Sequence, residues 1–326
     1  MSARFTRWVV SQWHRPTWRG TLLLLPLSLV FRGLVWLRRL AFRLGLLRVH
    51  RLSAPVIVVG NLTVGGSGKT PLVIHLVEAL RRQGFRPGVV SRGYGRGERA
   101  VQRLETPLEP AAYGDEPVLV ALRCGCPVAV GADRVAAARL LLTDCDVIVA
   151  DDGLQHYRLA REIEIAVIDG EHALGNGRML PAGPLREPAA RLRDVNFVAV
   201  RDGEWPGACR YRVAAGEVRR LDADAQTQPL AAWSGRRVHA VAGIGVPERF
   251  FGQLEDCGVE VKRHPFPDHH AFTASDLVFG DEAPVLMTEK DAIKCRAFAD
   301  ARMWYVPAVV EDRDGIAQQV LQRLAG

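Results

Sequence analysis

The sequence predicts an α/β protein built around a mainly parallel sheet, with a second, smaller α/β domain and an N-terminal membrane-associated helix. Three observations lead to this prediction. A strand, a glycine loop and a helix follow one another over residues 55–80, apolar strands then alternate with helices, and a basic apolar segment comes first. Alternating strands and helices are typical of parallel sheets with helices on both faces. The 326 residues are enough for two domains with hydrophobic cores.

The N-terminal segment combines apolar residues with positive charge. Residues 1–77 contain eleven Lys or Arg and no Asp or Glu, and four of the seven tryptophans lie in the first 36 positions. Arginine and tryptophan beside apolar residues are typical of a helix in the lipid headgroup region, and cationic charge attracts anionic lipids. We therefore predict a membrane-associated segment over residues 1–50.

Other interpretations of this segment stay open. The apolar block 21–31 is too short to span about 30 Å of hydrocarbon, and the longer stretch to Leu47 would carry four arginines into the membrane. A single spanning helix and a helix packed on the protein's own core are the two alternatives. A cleaved signal peptide is disfavoured because a small-residue cleavage site is missing.

The glycine loop is the clearest chemical signal. The apolar run 55–59 predicts a strand, residues 72–80 predict a helix, and the sequence GNLTVGGSGKT lies between them at 60–70. Backbone N–H groups of such a loop can turn inward around phosphate oxygens, and the helix N-terminus adds partial positive charge. Lys69 can reach the outer phosphates, and the Thr70 hydroxyl can reach Mg²⁺. The predicted nucleotide-binding residues are Thr63, Val64, Gly65, Gly66, Ser67, Gly68, Lys69 and Thr70.

Two details bear on the interpretation of this segment as a phosphate-binding loop. The usual phosphate-loop pattern has glycine where Thr63 stands, so we interpret the loop as a variant. Only four of the 43 basic residues are lysines, at positions 69, 262, 290 and 294. A chain so biased toward arginine has little reason to place lysine in a glycine loop unless a compact ammonium is needed there.

The rest of the sequence predicts two sets of alternating strands and helices. In the first set, residues 87–91, 127–130, 146–150 and 163–169 predict strands, and helices are predicted to begin near residues 114 and 133. After the polar stretch 221–229, the second set has predicted strands at 237–244, 258–264, 284–287 and 303–306, with helices at 247–257 and the C-terminus. We predict a P-loop domain over 51–228 and a smaller α/β domain over 229–326.

Acidic residues supply candidates for metal binding and base catalysis. Asp151 and Asp152 directly follow a predicted buried strand, where a carboxylate can hold Mg²⁺ opposite Thr70; Asp152 is the first choice and Asp151 the second. Asp115 and Glu116 stand at a predicted helix start, and from the residues alone their favoured role is to cap that helix.

Two further segments carry polar side chains. Asp268 and His269 lie in a cluster over residues 266–272, where a histidine beside a carboxylate can tune a proton acceptor. The Gly- and Pro-rich stretch 175–187 contains two arginines and could bring one of them to a developing phosphoryl charge. The alternative interpretation of this stretch is a structured connector.

Taken in order, these motifs resemble the tetraacyldisaccharide 4′-kinases, the membrane-associated lipid A kinases. The resemblance covers nearly the whole chain, and the order and spacing of the motifs make it specific. Besides the N-terminal apolar helix, the motifs are GNLTVGGSGKTP (60–71), SRGYGR (91–96), GDEP (114–117), DDGLQH (151–156), the 175–187 loop, Asp268-His269 and TEKDA (288–292).

The resemblance implies an activity and a set of roles. It implies phosphorylation of the 4′-hydroxyl of a tetraacyl glucosamine disaccharide 1-phosphate with ATP and Mg²⁺, at the cytoplasmic face of the bacterial inner membrane. Asp115 becomes a candidate general base paired with His269 across the domain cleft, and Asp268 would orient His269. Lys69 and Arg186 would stabilise the transferred phosphoryl group. Thr70, Asp152 and Glu187 would serve the metal.

Two other functions are considered. A membrane-associated P-loop ATPase that switches partners is the alternative, but such proteins often carry an extra lysine near the start of the loop, which this loop lacks. A nucleic-acid-binding protein is disfavoured because the basic residues of the N-terminus are interleaved with Leu and Trp, while the chain after residue 77 has 32 basic and 36 acidic residues. The predicted partners are a glycolipid and a membrane surface; the oligomeric state is left open.

Overall fold

The computed structural model describes residues 3–14, 17–65, 68–93 and 100–325. Two predicted features lie wholly or partly outside these ranges, namely Gly66 and Ser67 of the glycine loop and residues 94–96 of the 91–96 motif. The helices are α1 (Ala3–His14), α2 (Trp18–Arg43), α3 (Lys69–Arg82), α4 (Pro110–Tyr113), α5 (Asp115–Cys124), α6 (Arg134–Arg139), α7 (Pro247–Asp256), α8 (Glu289–Cys295) and α9 (Ile316–Ala325).

Strands form two sheets in the described part of the chain. The strands are β1 (Val56–Gly60), β2 (Pro87–Ser91), β3 (Gln102–Arg103), β4 (Val128–Val130), β5 (Val147–Asp151), β6 (Ile163–Asp169), β7 (Phe197–Arg201), β8 (Cys209–Ala215), β9 (Val218–Arg220), β10 (Thr227–Gln228), β11 (Arg237–Ala242), β12 (Glu260–Pro265), β13 (Val285–Thr288), β14 (Met303–Val306) and β15 (Ala308–Asp312). The larger sheet has the order β15-β8-β7-β6-β1-β5-β2-β4-β3, and the smaller has the order β10-β9-β14-β13-β11-β12.

Both sheets are mainly parallel, which confirms the predicted α/β class. In the larger sheet only the edge pairs β15–β8 and β3–β4 are antiparallel, and in the smaller sheet only the pairs made by β9. All five residues of β1 are buried, as expected for a central strand covered on both faces. Ile57 and Val59 pack toward α3, α5 and α9, whereas Val56 and Val58 pack toward α6, because successive side chains of a strand point to opposite faces.

Sheet membership differs from the predicted boundary near residue 228. Strands β9 and β10 pair in the smaller sheet, and β15 returns to the larger sheet, where it pairs with β8. Helix α9 also packs against α3 of the larger sheet. Pairing between segments about a hundred residues apart leaves no local sequence signal, so the prediction that residues 229–326 form one unit did not anticipate it. The limits of the domains stay a prediction.

Helix α2 is packed along one face only. Its inward stripe includes the buried Leu24 and Ser28, followed by Phe31 and Val35, which touch the core beneath the large sheet. The Ser28 hydroxyl donates a hydrogen bond to the carbonyl of Met179 at 2.7 Å. The other face leaves apolar side chains exposed: Trp18, Leu22, Leu23, Leu27, Leu29, Val30, Leu34, Trp36 and Leu37. The helix is long and apolar enough to cross a membrane, and only 17% of its most apolar window is buried.

Candidate active site

The glycine loop leaves β1 and enters α3 beside a second loop. The backbone of Thr63 pairs with that of Leu185, and Val64 N–H donates to the Pro184 carbonyl at 2.9 Å. Arg186 N–H in turn donates to the Leu62 carbonyl at 2.6 Å. This pairing explains the variant position: Thr63 is held in an extended conformation, which favours a β-branched residue over glycine.

Gly68 is required where the loop becomes helix. Its φ is +76°, and a Cβ there would lie 2.6 Å from the Cδ and Nη1 atoms of Arg201. The Tyr211 hydroxyl donates to the Gly68 carbonyl at 3.2 Å. Arg201 itself is nine-tenths buried and paired with Asp169 at 2.7 Å. Buried side chains from β7 and β8 therefore fix the end of the loop that presents Lys69.

Lys69, Asp152 and Arg186 come together at the carboxyl end of β5. The Lys69 ammonium donates to Asn61 Oδ1 at 3.1 Å and lies 3.5 Å from Asp152 Oδ1. Arg186 Nη1 donates to both carboxylate oxygens of Asp152, at 3.0 and 3.1 Å. Burial raises the pKa of Asp152, but Lys69 and then Arg186 outweigh it and hold the pKa below its usual range. Gln155, which donates to the Asn61 carbonyl at 3.1 Å, joins the same network.

Asp151, the last residue of β5, is buried and has an unpaired oxygen. Its Oδ1 finds no hydrogen-bond partner within the described ranges. Burial and then the Glu116 carboxylate raise the pKa of Asp151 to about 7. A buried carboxylate oxygen without a donor, next to Asp152 and across from the start of α3, suits a hard cation with oxygen ligands. The residues present therefore fit Mg²⁺.

Glu187 lies in a different set of contacts. It is buried, accepts a hydrogen bond from the Tyr157 hydroxyl at 2.6 Å, and lies 3.4 Å from Arg191 Nε. Burial raises the pKa of Glu187 despite the opposing effects of Tyr157 and Arg191. These contacts anchor the residue that follows Arg186. The predicted metal role of Glu187 stays a prediction.

Asp115 and His269 meet between the two sheets. Asp115 is the first residue of α5, and its Oδ2 lies 2.9 Å from His269 Nδ1. His269 has φ +61° and Asp152 has φ +50°. Left-handed backbone at residues other than glycine is strained and often marks functional sites. Glu116, the neighbour of Asp115, lies close enough to Asp151 to raise its pKa, so the start of α5 faces the end of β5.

Asp268 lies next to His269 in the site. Its Oδ2 is 3.8 Å from His269 Nε2, beyond hydrogen-bond distance. Its other oxygen accepts a hydrogen bond from Lys290 at 3.1 Å. The orienting role of Asp268 stays a prediction.

Sequence reasoning gave no role to Lys290 and Lys294. Lys294 Nζ lies 3.3 Å from Asp115 Oδ2, and Lys290 contacts Asp268 and, at 3.9 Å, Glu116. The rarity of lysine was the available signal. Three of the four lysines, Lys69, Lys290 and Lys294, contact acids of this site.

Comparisons with known proteins show the family of the chain. The family model described as tetraacyldisaccharide-1-P 4′-kinase matches residues 20–325. The tetraacyldisaccharide 4′-kinase of Methylobacillus flagellatus is 49% identical, covering 99% of this chain and 98% of its own. That of Aromatoleum aromaticum is 52% identical, with 93% of each chain covered. The crystal structure of LpxK from Aquifex aeolicus in complex with ATP superposes with a TM-score of 0.78 at 28% identity, covering 92% of this chain and 98% of that chain. The chain thus belongs to the tetraacyldisaccharide 4′-kinase family.

Proposed function

We propose that this protein is an ATP-dependent kinase that phosphorylates the 4′-hydroxyl of tetraacyldisaccharide 1-phosphate in lipid A biosynthesis. The main support for this proposal is the 2.9 Å contact between Asp115 and His269. This carboxylate–histidine pair lies at the start of α5, which faces the end of β5. Lys69, Asp152 and Arg186 gather at that strand end. Family membership favours this activity over the alternative of a switch ATPase.

The residues divide the work of phosphoryl transfer between them. Asp115 accepts the proton of the acceptor hydroxyl, whose oxygen bonds to the γ-phosphorus while the bond to the β–γ bridging oxygen breaks and ADP leaves. Lys69 and Arg186 neutralise charge on the transferred group. Thr70, Asp151 and Asp152 would hold Mg²⁺, which when bound would offset phosphate charge. Glu187 would support the metal side by fixing the backbone next to Arg186.

A kinase assay tests this proposal directly. We expect the purified full-length protein to transfer labelled phosphate from ATP to tetraacyldisaccharide 1-phosphate in detergent micelles. The product should carry one phosphate more than the substrate, by mass spectrometry. Formation of ADP without a phosphorylated lipid would favour the switch ATPase instead.

We further propose that α2 holds the protein on the cytoplasmic face of the inner membrane. A substrate with four acyl chains stays in the bilayer, so the active site must work at its surface. The outward face of α2 exposes a band of Leu and Trp side chains, and the N-terminal segment adds arginines without acids.

The packing of α2 allows a sharper test than deletion. Replacing Leu23, Leu27 and Leu34 with Gln changes only outward residues, so the contacts of Ser28 with the body persist. We expect this variant to move from the membrane fraction to the soluble fraction while keeping its melting temperature. A matched variant with Gln at Leu122, Leu140 and Val278, which are also exposed but lie outside the helix, should stay with the membranes. Equal membrane retention of both variants would contradict the role of α2.

A further inference from the structure

Lys294 places a buried ammonium between two carboxylates. Its side chain is only 7% exposed, and its Nζ lies 3.0 Å from Asp291 Oδ1 and 3.3 Å from Asp115 Oδ2. The Phe272 ring lies beneath it, with Nζ 5.5 Å from the ring centroid. Burying a lysine costs free energy unless its charge is paired, so a structural or functional reason for this buried ammonium is expected.

Asp291 makes the position of Lys294 rigid. The Asp291 side chain is fully buried, and its Oδ2 accepts hydrogen bonds from the Thr288 hydroxyl at 2.6 Å and from Gly243 N–H at 2.8 Å. Its Oδ1 is the atom that receives Lys294. Because the core of the smaller sheet fixes Asp291, the ammonium is held at one point relative to α8.

The packing of α5 against α8 brings the Lys294 ammonium to Asp115. At one end of the two helices Arg123 donates to both oxygens of Glu289 at 2.9 Å, and at the other end Asp115 contacts Lys294. The helices therefore run antiparallel, with an ion pair at each end. This register sets where the Asp115 carboxylate lies.

His269 and Lys294 contact the same oxygen of Asp115. The Asp115 oxygen that His269 Nδ1 contacts at 2.9 Å and the one that Lys294 Nζ contacts at 3.3 Å are both Oδ2. These two contacts hold the carboxylate at Oδ2, so in the proposed reaction Oδ1 is the oxygen that accepts the proton.

We propose that Lys294 is a positioning residue that fixes Asp115 Oδ2 so that Oδ1 faces the acceptor hydroxyl. This inference rests on the proposed function, because it assigns to Lys294 a task in the same proton transfer. Lys294 touches neither substrate in this scheme; it acts through Asp115. A lysine that only stabilised the interface between the sheets would affect folding, and its loss would not depend on Asp115.

The first experiment compares kcat and KM of Lys294→Met with those of the wild-type full-length protein. We expect kcat to fall by about 10- to 100-fold, less than the contribution of a general base itself, with KM for ATP unchanged. Lys294→Arg keeps the charge and should recover part of kcat. In Lys294→Ala, added ethylammonium should raise kcat in proportion to its concentration. Lys262 is an exposed lysine of β12 in the smaller sheet. Its replacement, Lys262→Met, should leave kcat at the wild-type value.

The second experiment asks whether the effect passes through Asp115. In an Asp115→Asn background, Lys294→Met should cause no further loss of kcat. Lys294→Met alone leaves both Asp115 and Asp291 without their lysine partner. The double variant leaves only Asp291 in that position, so we expect it to fold where the single variant does not. Multiplicative losses in the double variant, or a Lys294→Met kcat within about twofold of the wild type, would overturn the inference. Absence of lipid phosphorylation by the wild-type protein would instead overturn the proposed function.

Discussion

Replacing Asp115 with Asn is expected to lower kcat for lipid phosphorylation by about 10²- to 10⁴-fold, the usual contribution of a general base. The amide keeps the shape of the side chain beside His269 but cannot take up the proton of the acceptor hydroxyl. ATP affinity should stay within about twofold of the wild type, because Asp115 lies outside the network that joins Lys69 to Asp152.

Steady-state kinetics with tetraacyldisaccharide 1-phosphate and titration with a fluorescent ATP analogue measure the two quantities separately. Asp256→Asn, at the exposed end of α7, is the matched control and should leave both unchanged. A kcat of Asp115→Asn close to that of the wild type would remove Asp115 as the base. Parallel loss of kcat and nucleotide affinity would assign it to binding instead.

Replacing Lys69 with Met should reduce kcat/KM for ATP by about 10²- to 10³-fold, the cost of removing one preorganised donor from a phosphoryl-transfer site. Lys69 is the ammonium held between Asn61 and Asp152, so its loss removes the cation with the largest Coulombic effect on the pKa of the Asp152 carboxylate. We expect Lys69→Arg to be almost as inactive, because the larger guanidinium does not fit the space of a compact ammonium beside the loop.

The measurement is ADP release coupled to lipid phosphorylation across a range of ATP concentrations. Lys262→Met serves again as the control for loss of a lysine. If Lys69→Arg were as active as the wild type, the position would need only positive charge, and the argument from the scarcity of lysine would be wrong.

Local signals in the sequence account for much of the large sheet and for the nucleotide side of the site. Strand β1 is an apolar run, β5 is one up to its terminal Asp151, and β6 is interrupted only by Glu164 before its terminal Asp169. Such runs are typical of buried parallel strands. The loop before α3 and the two acids after β5 are motifs contained within a few residues. Their meeting follows from the general rule that the carboxyl ends of parallel strands share one edge.

Long-range contacts account for what the residues alone did not reveal. Asp115 and His269 are 154 residues apart, and only the family resemblance paired them. Strands β8 and β15 were not predicted because their half-buried residues are mixed with arginine or acids. The apolar strand β7 was also not predicted. Lys294 was overlooked because only Asp291 is a local partner, on the same helix, whereas Asp115 and Phe272 come from distant parts of the chain.

The return of β15 and α9 to the large sheet has a consequence for how the protein is made. The chain passes from the large sheet to the small one after residue 215 and back after residue 306, and Gly216 N–H donates to the Pro307 carbonyl at 2.8 Å where the two passages lie side by side. During synthesis the small sheet is a continuous insert that can complete itself first. The sheet that carries the phosphate loop gains its edge strand β15, and α3 gains its neighbour α9, only after the small sheet has left the ribosome.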